Sequence, residues 1–294
     1  QFIDIMSWRT VVITNRCKLD LEMGYLVIRA EETQRVVLNE ISVIIIENTA
    51  ISMTGCLVAE LTERKIKVVF CDKKRNPTAE IVPIYGCHDC SLKIKKQQAW
   101  GEDTKASVWT DIVSEKIRKQ MEYLGELGRD EEATMLRNYI CDLAYNDVTN
   151  REGHAAKVYF NAVFGMDFTR SEECVTNAAL NYGYSLILSA FSREIVANGY
   201  LTQIGIFHDN MFDFFNLSCD LMEPYRVLVD RYVYSKQYRK FETEEKHDLV
   251  GIFTDTVKIN DSTQYLDNAI SIYSYSVFEA LNDRDPSLIR HYSV

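Results

Sequence analysis

The chain has 294 residues, of which 47% are hydrophobic and 26% are charged, with a net charge of −10. This is a globular composition with enough apolar residues for a sizeable core, and the length is comfortable for two domains. No apolar run approaches the roughly 18 residues of a membrane span, and no signal pattern opens the chain, so we expect a cytoplasmic protein. The acidic charge argues against a general nucleic-acid coat, although it allows local basic patches.

Short β-branched runs dominate the first eighty residues, which predicts a small β-rich domain with one helix. We expect Met6 to be the natural first residue, and residues 1–5 are left out of this fold. The helix is predicted over 52–63 from the spacing of its apolar residues, whereas 15–23 is predicted as a connection. Strands are predicted at 9–14, 25–29, 34–38, 42–46, 65–71 and 79–84.

After Tyr85 and Gly86 the apolar period changes from 2 to about 3.6, which is typical of helices. The sequence therefore predicts an α+β fold with a β-rich N-terminal domain over 6–84, a linker over 85–92 and a larger all-α domain over 93–294. Helices are predicted near 106–124, 133–143, 152–164, 171–198, 221–238, 243–257 and 264–282.

Two cofactor motifs are absent from the sequence. Cys87 and Cys90 form a Cys-x-x-Cys pair, but a structural zinc site needs a second pair at suitable spacing, and the chain has none. We interpret both as loop thiols. No Walker-type phosphate loop is present, so no nucleotide cofactor is implied.

Glu152 opens a predicted helix and lies on its apolar face, together with Ala155, Ala156 and Tyr159. The carboxylate is therefore predicted to point inward. A buried ionised carboxylate is costly unless it is paired or binds a metal. Two interpretations stay open: a metal ligand, or a helix-start glutamate that is favoured by the helix dipole and paired with a partner such as Arg151.

A second group of polar residues begins at His208, twelve residues before Asp220. Asp220 and Glu223 precede Pro224, a pattern typical of a helix start in which both acids cap the helix. Their spacing also puts them on one helix face, with Arg226 one turn beyond. A lone histidine is more often a core or surface side chain than a ligand. Carboxylates with one imidazole would nevertheless suit Mg²⁺ or Mn²⁺.

Three segments occur in order at suitable intervals, and together they resemble the integrase subunit of the CRISPR adaptation machinery. They run from Asn150 to Phe160, from Leu180 to Ser185 and from His208 to Arg226. The opening Trp8-Arg-Thr-Val-Val-Ile and the hinge Tyr85-Gly-Cys-His-Asp are most similar to its type II branch. The resemblance covers nearly the whole chain from Met6.

The resemblance assigns roles to individual residues. It implies that Glu152, His208 and Glu223 are catalytic residues and ligands of a Mg²⁺ or Mn²⁺ ion. Asp220 matches an acid that supports this site, and Arg226 matches a basic position expected to meet DNA phosphate. Asn181 and Tyr184 match motif positions whose role the sequence does not reveal.

The resemblance also implies a reaction and partners. A prokaryotic, cytoplasmic integrase of this kind joins the 3′-hydroxyl ends of a short DNA duplex to a CRISPR repeat by transesterification. Its partners would be double-stranded DNA, a second copy of the chain that docks through the β-rich domain, a small ferredoxin-like companion subunit and other CRISPR proteins.

Two other functions compete with integration. The same site could serve a divalent-metal endonuclease that acts on branched DNA. The chain could instead be a structural DNA-binding subunit whose acids only cap helices. The inward position predicted for Glu152 disfavours this last interpretation, because capping does not explain an inward carboxylate.

Overall fold

The computed structural model describes residues 9–73, 75, 77–81, 83 and 89–294. Its N-terminal region holds two four-stranded sheets and one helix, α1 (Gly55–Glu63). The α+β fold class is thereby confirmed. The strands are β1 (Arg9–Ile13), β2 (Lys18–Glu22), β3 (Tyr25–Arg29), β4 (Thr33–Val37), β5 (Ile41–Ile46), β6 (Ser52–Met53), β7 (Lys67–Cys71) and β8 (Pro77–Ile81).

The first sheet has the order β4-β3-β2-β6 and is built on two antiparallel pairs, β2 with β3 and β3 with β4. Strand β2 corrects the sequence prediction, which assigned 15–23 to a connection. Its leucines at 19 and 21 alternate with polar residues, the period of a strand with one buried face. The turn to β3 uses Met23 and Gly24, both at positive φ, as tight hairpin turns require.

The second sheet has the order β1-β5-β7-β8, with β1, β5 and β7 parallel and β8 antiparallel. All six residues of β5 are buried, as its uninterrupted Ile-Ser-Val-Ile-Ile-Ile run suggests for a central parallel strand. Thr54 caps the start of helix α1, because its hydroxyl accepts a hydrogen bond from the Leu57 amide at 3.3 Å. Leu57 and Leu61 of α1 pack into the core of the N-terminal region.

The C-terminal region is mostly helical, with one β-hairpin whose two ends fall within helices predicted from the sequence, over 243–257 and 264–282. The hairpin is β9 (Thr256–Ile259) and β10 (Ser262–Tyr265), joined through Asn260 and Asp261 at positive φ. The helices are α2 (Cys90–Gln98), α3 (Glu102–Glu126), α4 (Asp130–Cys141), α5 (Arg151–Phe164), α6 (Val175–Ala197), α7 (Asn216–Met222), α8 (Arg226–Lys236), α9 (Thr243–Val250) and α10 (Leu266–Asp283). None of the described helices is long and apolar enough to cross a membrane.

The helix predicted over 221–238 is wrong in its start and its continuity. Helix α7 already begins at Asn216, a 3-10 turn spans Glu223–Tyr225, and α8 follows. Pro224 occupies the start of the 3-10 turn, where its missing N–H costs no helical hydrogen bond. The predicted linker over 85–92 lies partly outside the described residues, as does Cys87, while Cys90 begins α2.

The N-terminal and C-terminal regions share buried surface. Val43, Ile45 and Cys71 of the second sheet belong to the same apolar cluster as the helical core. Arg193 of α6 reaches across this boundary and donates to the Ser42 carbonyl at 3.3 Å. Its guanidinium also pairs with Glu194 at 2.8 Å and with Asp267 at 2.9 Å. The sheet is therefore held against α6 by packing and by the largely buried guanidinium of Arg193.

We expect Arg193→Met to lower the free energy of unfolding by about 3 kcal/mol, because it leaves two buried carboxylates without their cation. Arg35→Met is the matched control, since Arg35 is exposed and pairs with Glu22 at the surface. That control should change stability by less than about 1 kcal/mol. Denaturant unfolding of both variants measures the difference, and equal losses would contradict the buried role of Arg193.

Candidate metal centre

Glu152 lies in the first turn of α5, and neighbouring side chains hold that turn. The Asp147 carboxylate accepts hydrogen bonds from the backbone amides of Arg151 at 2.6 Å and Glu152 at 3.0 Å. Asn150, in the left-handed region at φ 52°, accepts from the Gly153 amide at 3.2 Å. The amides at the start of α5 are thus satisfied without Glu152, whose own carboxylate is free to face another element.

That carboxylate meets Lys116, a buried residue of α3 that the sequence interpretation did not select. The Lys116 Nζ lies 2.5 Å from Oε1 of Glu152 and 2.5 Å from Oε2 of Glu223. One ammonium thus joins two glutamates that are 71 residues apart in sequence. A signal was present, because Lys116 follows Ile112 by one turn and precedes Ile117 on the apolar face of α3.

Glu223 is held from two sides. Its Oε1 accepts a hydrogen bond from Nε of Arg226 at 2.9 Å, while Oε2 faces Lys116. Burial would raise the pKa of Glu223, but the charges and hydrogen bonds of Arg226 and Lys116 outweigh burial and hold that pKa at about 2. Glu223 is therefore a permanent anion at neutral pH.

Arg226 packs its guanidinium over the ring of Tyr184, 4.9 Å from the ring centroid. The Tyr184 hydroxyl donates to the buried carboxylate of Asp230 at 2.5 Å. Gly183 lets α6 and α8 approach, since a Cβ there would lie 2.4 Å from a methyl of Val229. These contacts give the 180–185 motif a structural role: its glycine and tyrosine support the arginine that pairs with Glu223.

His208 is positioned by Asp220, which corrects the capping interpretation of that acid. Asp220 lies inside α7, fully buried, and accepts backbone N–H groups from Ile206 at 2.5 Å, Phe207 at 3.2 Å and His208 at 3.1 Å. Gly205 makes this turn possible, because a Cβ there would lie 2.2 Å from the His208 carbonyl oxygen.

The imidazole of His208 has a fixed orientation. Its Nδ1 lies 2.6 Å from Oδ1 of Asp220. With Asp220 ionised, Nδ1–H donates and Nε2 keeps its lone pair in the neutral ring. The Asp220 hydrogen bond raises the pKa of His208, and the charges of Glu223 and Glu152 act in the same direction. The His208 imidazole is therefore within electrostatic range of both glutamates.

The structure brings the predicted site residues together in two groups. Glu152 and Glu223 meet at Lys116, with Arg226 beside Glu223, and His208 is paired with Asp220. Within the part of the chain that the structure describes, no group of three or more His, Cys, Asp or Glu is arranged to hold a metal ion. A lysine ammonium lies between the two carboxylates instead. The Asn181 Oδ1 accepts a hydrogen bond from Arg170 at 2.6 Å, and the Arg170 guanidinium lies over the Tyr184 ring, as that of Arg226 does.

The structure has a β-rich N-terminal region joined to a helical C-terminal region that carries this acid-and-histidine site. This arrangement agrees with the resemblance found in the sequence. The family model described as CRISPR associated protein Cas1 matches residues 10–251. The chain belongs to the Cas1 family. The CRISPR-associated endonuclease Cas1 of Neisseria meningitidis serogroup C (strain 8013) is 37% identical over 227 residues, which cover 76% of this chain and 74% of that protein.

Solved structures show the same fold at low identity. A CAS1 protein from Thermotoga maritima superposes with a TM-score of 0.76 at 16% identity, covering 93% of this chain and 97% of that one. A casposase bound to integration product gives a TM-score of 0.74 at 16% identity, with 94% and 91% covered. A chain of a Cas6-RT-Cas1–Cas2 complex gives 0.72 at 17% identity, and the match covers 98% of this chain but 36% of that longer chain.

The buried Asp230 behind Tyr184 gives a pH prediction. Burial raises the pKa of Asp230 to about 6, although the Tyr184 hydrogen bond lowers it in part. Because this pKa is higher in the folded chain than in the unfolded chain, the Asp230 contribution favours folding at low pH and is lost as pH rises through about 6.

Asp230→Asn removes this titration while keeping an oxygen that accepts from Tyr184. We expect the unfolding temperature of the variant, relative to the native chain, to rise steadily from about pH 4 to about pH 7. Calorimetry of both proteins across this range measures the difference. A difference that is constant with pH, or that falls, would show that Asp230 does not titrate in this way.

Proposed function

We propose that this chain is a divalent-metal-dependent DNA integrase that joins the 3′-hydroxyl ends of short duplex DNA to a CRISPR repeat. The observation that carries the proposal is the convergence of two glutamates on one cation, beside a histidine that a buried aspartate orients. The glutamates come from distant parts of the chain, which helix capping does not explain. The likeness to a casposase bound to integration product supports the same reaction class.

The residues fit a metal ion by the chemistry of their donors. The Lys116 ammonium shows that carboxylate oxygens of Glu152 and Glu223 can approach a single positive charge within 2.5 Å each. His208 can add Nε2, since its Nδ1 is engaged by Asp220. Two carboxylates and one imidazole suit Mg²⁺ or Mn²⁺. Such an ion, when bound, lowers the pKa of an attacking hydroxyl and stabilises charge on the phosphate.

The reaction exchanges one phosphodiester for another. The 3′-oxygen of the incoming duplex forms a bond to a phosphorus of the repeat as the bond from that phosphorus to the repeat's 3′-oxygen breaks. The attacking hydroxyl loses its proton and the departing oxygen gains one, so bonds and charge balance without ATP. This agrees with the missing phosphate loop.

The protein residues divide the remaining tasks. Asp220 holds the His208 ring and loop in place through four hydrogen bonds. Arg226, fixed by Glu223 and the Tyr184 ring, keeps part of its side chain exposed and is proposed to meet a DNA phosphate. Glu152 and Glu223 would repel DNA without a compensating cation, so DNA binding at this point should depend on the metal.

The second candidate is a divalent-metal endonuclease that acts on branched DNA. The Neisseria relative is named an endonuclease, which favours this candidate. The same residues would serve both reactions, because hydrolysis differs from joining only in the attacking group, which is water instead of a 3′-hydroxyl. A purely structural DNA-binding role leaves the paired inward glutamates without a purpose.

The proposal includes partners and a place in the cell. Structurally similar chains occur in Cas6-RT-Cas1–Cas2 complexes, which supports a companion subunit for this chain. We propose that this companion is small and ferredoxin-like. We propose that two copies of this chain dock through the β-rich domain and act on prespacer and repeat DNA in a prokaryotic cytoplasm. We also propose other CRISPR proteins as binding partners of this chain.

We expect the native chain, mixed with its companion subunit, to join a labelled short duplex to a repeat-containing plasmid only when Mg²⁺ or Mn²⁺ is added. His208→Ala and Glu223→Gln should lower the joining rate by about a hundredfold or more, because each removes a donor of the site. Gel analysis of the labelled product measures the rate.

His154→Ala is the matched control, since His154 is exposed two residues from Glu152 and makes no contact with the site glutamates. It should retain native activity. Full joining activity in His208→Ala would remove the metal assignment, and cleavage of branched DNA without any joined product would favour the endonuclease.

A further inference from the structure

Lys116 stands out because it is a buried cation between the two proposed metal-binding carboxylates. Its side chain is 9% exposed, and that of Glu223 is 4% exposed. The side chain of Glu152, the second partner of Lys116, is 25% exposed. A lysine buried this deeply needs compensating negative charge, and it takes that charge from Glu152 and Glu223.

The charges at this point already sum to zero. Glu152 and Glu223 contribute two negative charges, while Lys116 and Arg226 contribute two positive charges. A divalent ion held by the same carboxylates would lie about 2 Å from their oxygens. It would therefore fall within the space that the ammonium fills, and two cations at that separation repel strongly.

We propose that Lys116 is a tethered cation that holds the two glutamates together in the metal-free protein and must leave them when the metal binds. This inference rests on the proposed metal site. Lysine suits such a role because its ammonium is a compact point charge on a flexible four-carbon stem. The ammonium can swing away while the backbone of α3 stays in place.

Two consequences follow from one ammonium competing with one ion. Lys116 lowers the affinity of the site for metal, because the ion pairs must break first. It also keeps the metal-free fold intact, because without it the two carboxylates would lose the ammonium between them, leaving the ion pair of Glu223 with Arg226. If Lys116 only supported the ligands, its removal would weaken metal binding instead of strengthening it.

Lys116→Met separates these roles, and Lys119→Met is a matched control. Lys119 lies less than one turn further on α3, is buried to a similar degree, and pairs with Glu115 at 3.0 Å and Glu122 at 2.9 Å, away from the site. Both variants lose a buried ammonium from the same helix. Only the first loses the one between Glu152 and Glu223.

The experiment titrates Mn²⁺ into native chain, Lys116→Met and Lys119→Met and follows free Mn²⁺ by electron paramagnetic resonance. We expect Lys116→Met to bind Mn²⁺ about tenfold more tightly than the native chain, within the range of typical coupling between two ligands. Lys119→Met should bind as the native chain does. The unfolding temperature of Lys116→Met should fall without metal and recover more steeply with Mn²⁺.

Unchanged or weaker Mn²⁺ binding by folded Lys116→Met would overturn the proposal. If that variant does not fold without metal, Lys116→Gln, which keeps a polar group of similar length, is titrated instead under the same criterion. A native chain that binds no Mn²⁺, or binding that survives His208→Ala, would remove the metal site itself and the inference with it. If His208→Ala abolishes Mn²⁺ binding but Lys116→Met does not bind Mn²⁺ more tightly than the native chain, the metal site stands. Only the role proposed for Lys116 is then rejected.

Discussion

The contact on which the site depends is the double ion pair that Lys116 makes with Glu152 and Glu223. It joins α3, the start of α5 and the 3-10 turn after α7, which are far apart in sequence. A buried charge is tolerated only where opposite charge meets it, so these three elements are constrained to meet at one point. The fold thereby gathers two carboxylates at one point, and it stabilises their negative charge with the ammonium of Lys116.

A second layer of contacts fixes the orientation of the side chains at that point. Asp220 uses both carboxylate oxygens to hold the turn after Gly205 and the ring of His208. On the other side, Asp230 and Tyr184 support the guanidinium of Arg226. Each supporting acid is buried and hydrogen-bonded, so neither is a free ligand. In the proposed site, their role is to limit the motion of the side chains of His208 and Arg226.

Much of the fold, but less of the site, could be predicted from the sequence. The change of apolar period near residue 85 predicted the α+β division, and the inward face of the 152–164 helix predicted a partner for Glu152. Strand β2 and the β9–β10 hairpin were missed because their short alternating runs are largely polar. Lys116 was missed because a charged residue in a helix resembles a surface residue until its partners, 36 and 107 residues away, are placed in space. Asp220 was placed at a helix start because its spacing to Glu223 and Pro224 imitates a cap, whereas its true partners lie in the preceding loop.

The most direct test of this arrangement is anomalous X-ray scattering from crystals of the native chain soaked in Mn²⁺. The structure predicts one manganese peak within coordination distance of Glu152, Glu223 and Nε2 of His208, with the Lys116 ammonium moved away from both carboxylates. A crystal in which manganese binds elsewhere, while Lys116 still joins the two glutamates, would contradict it.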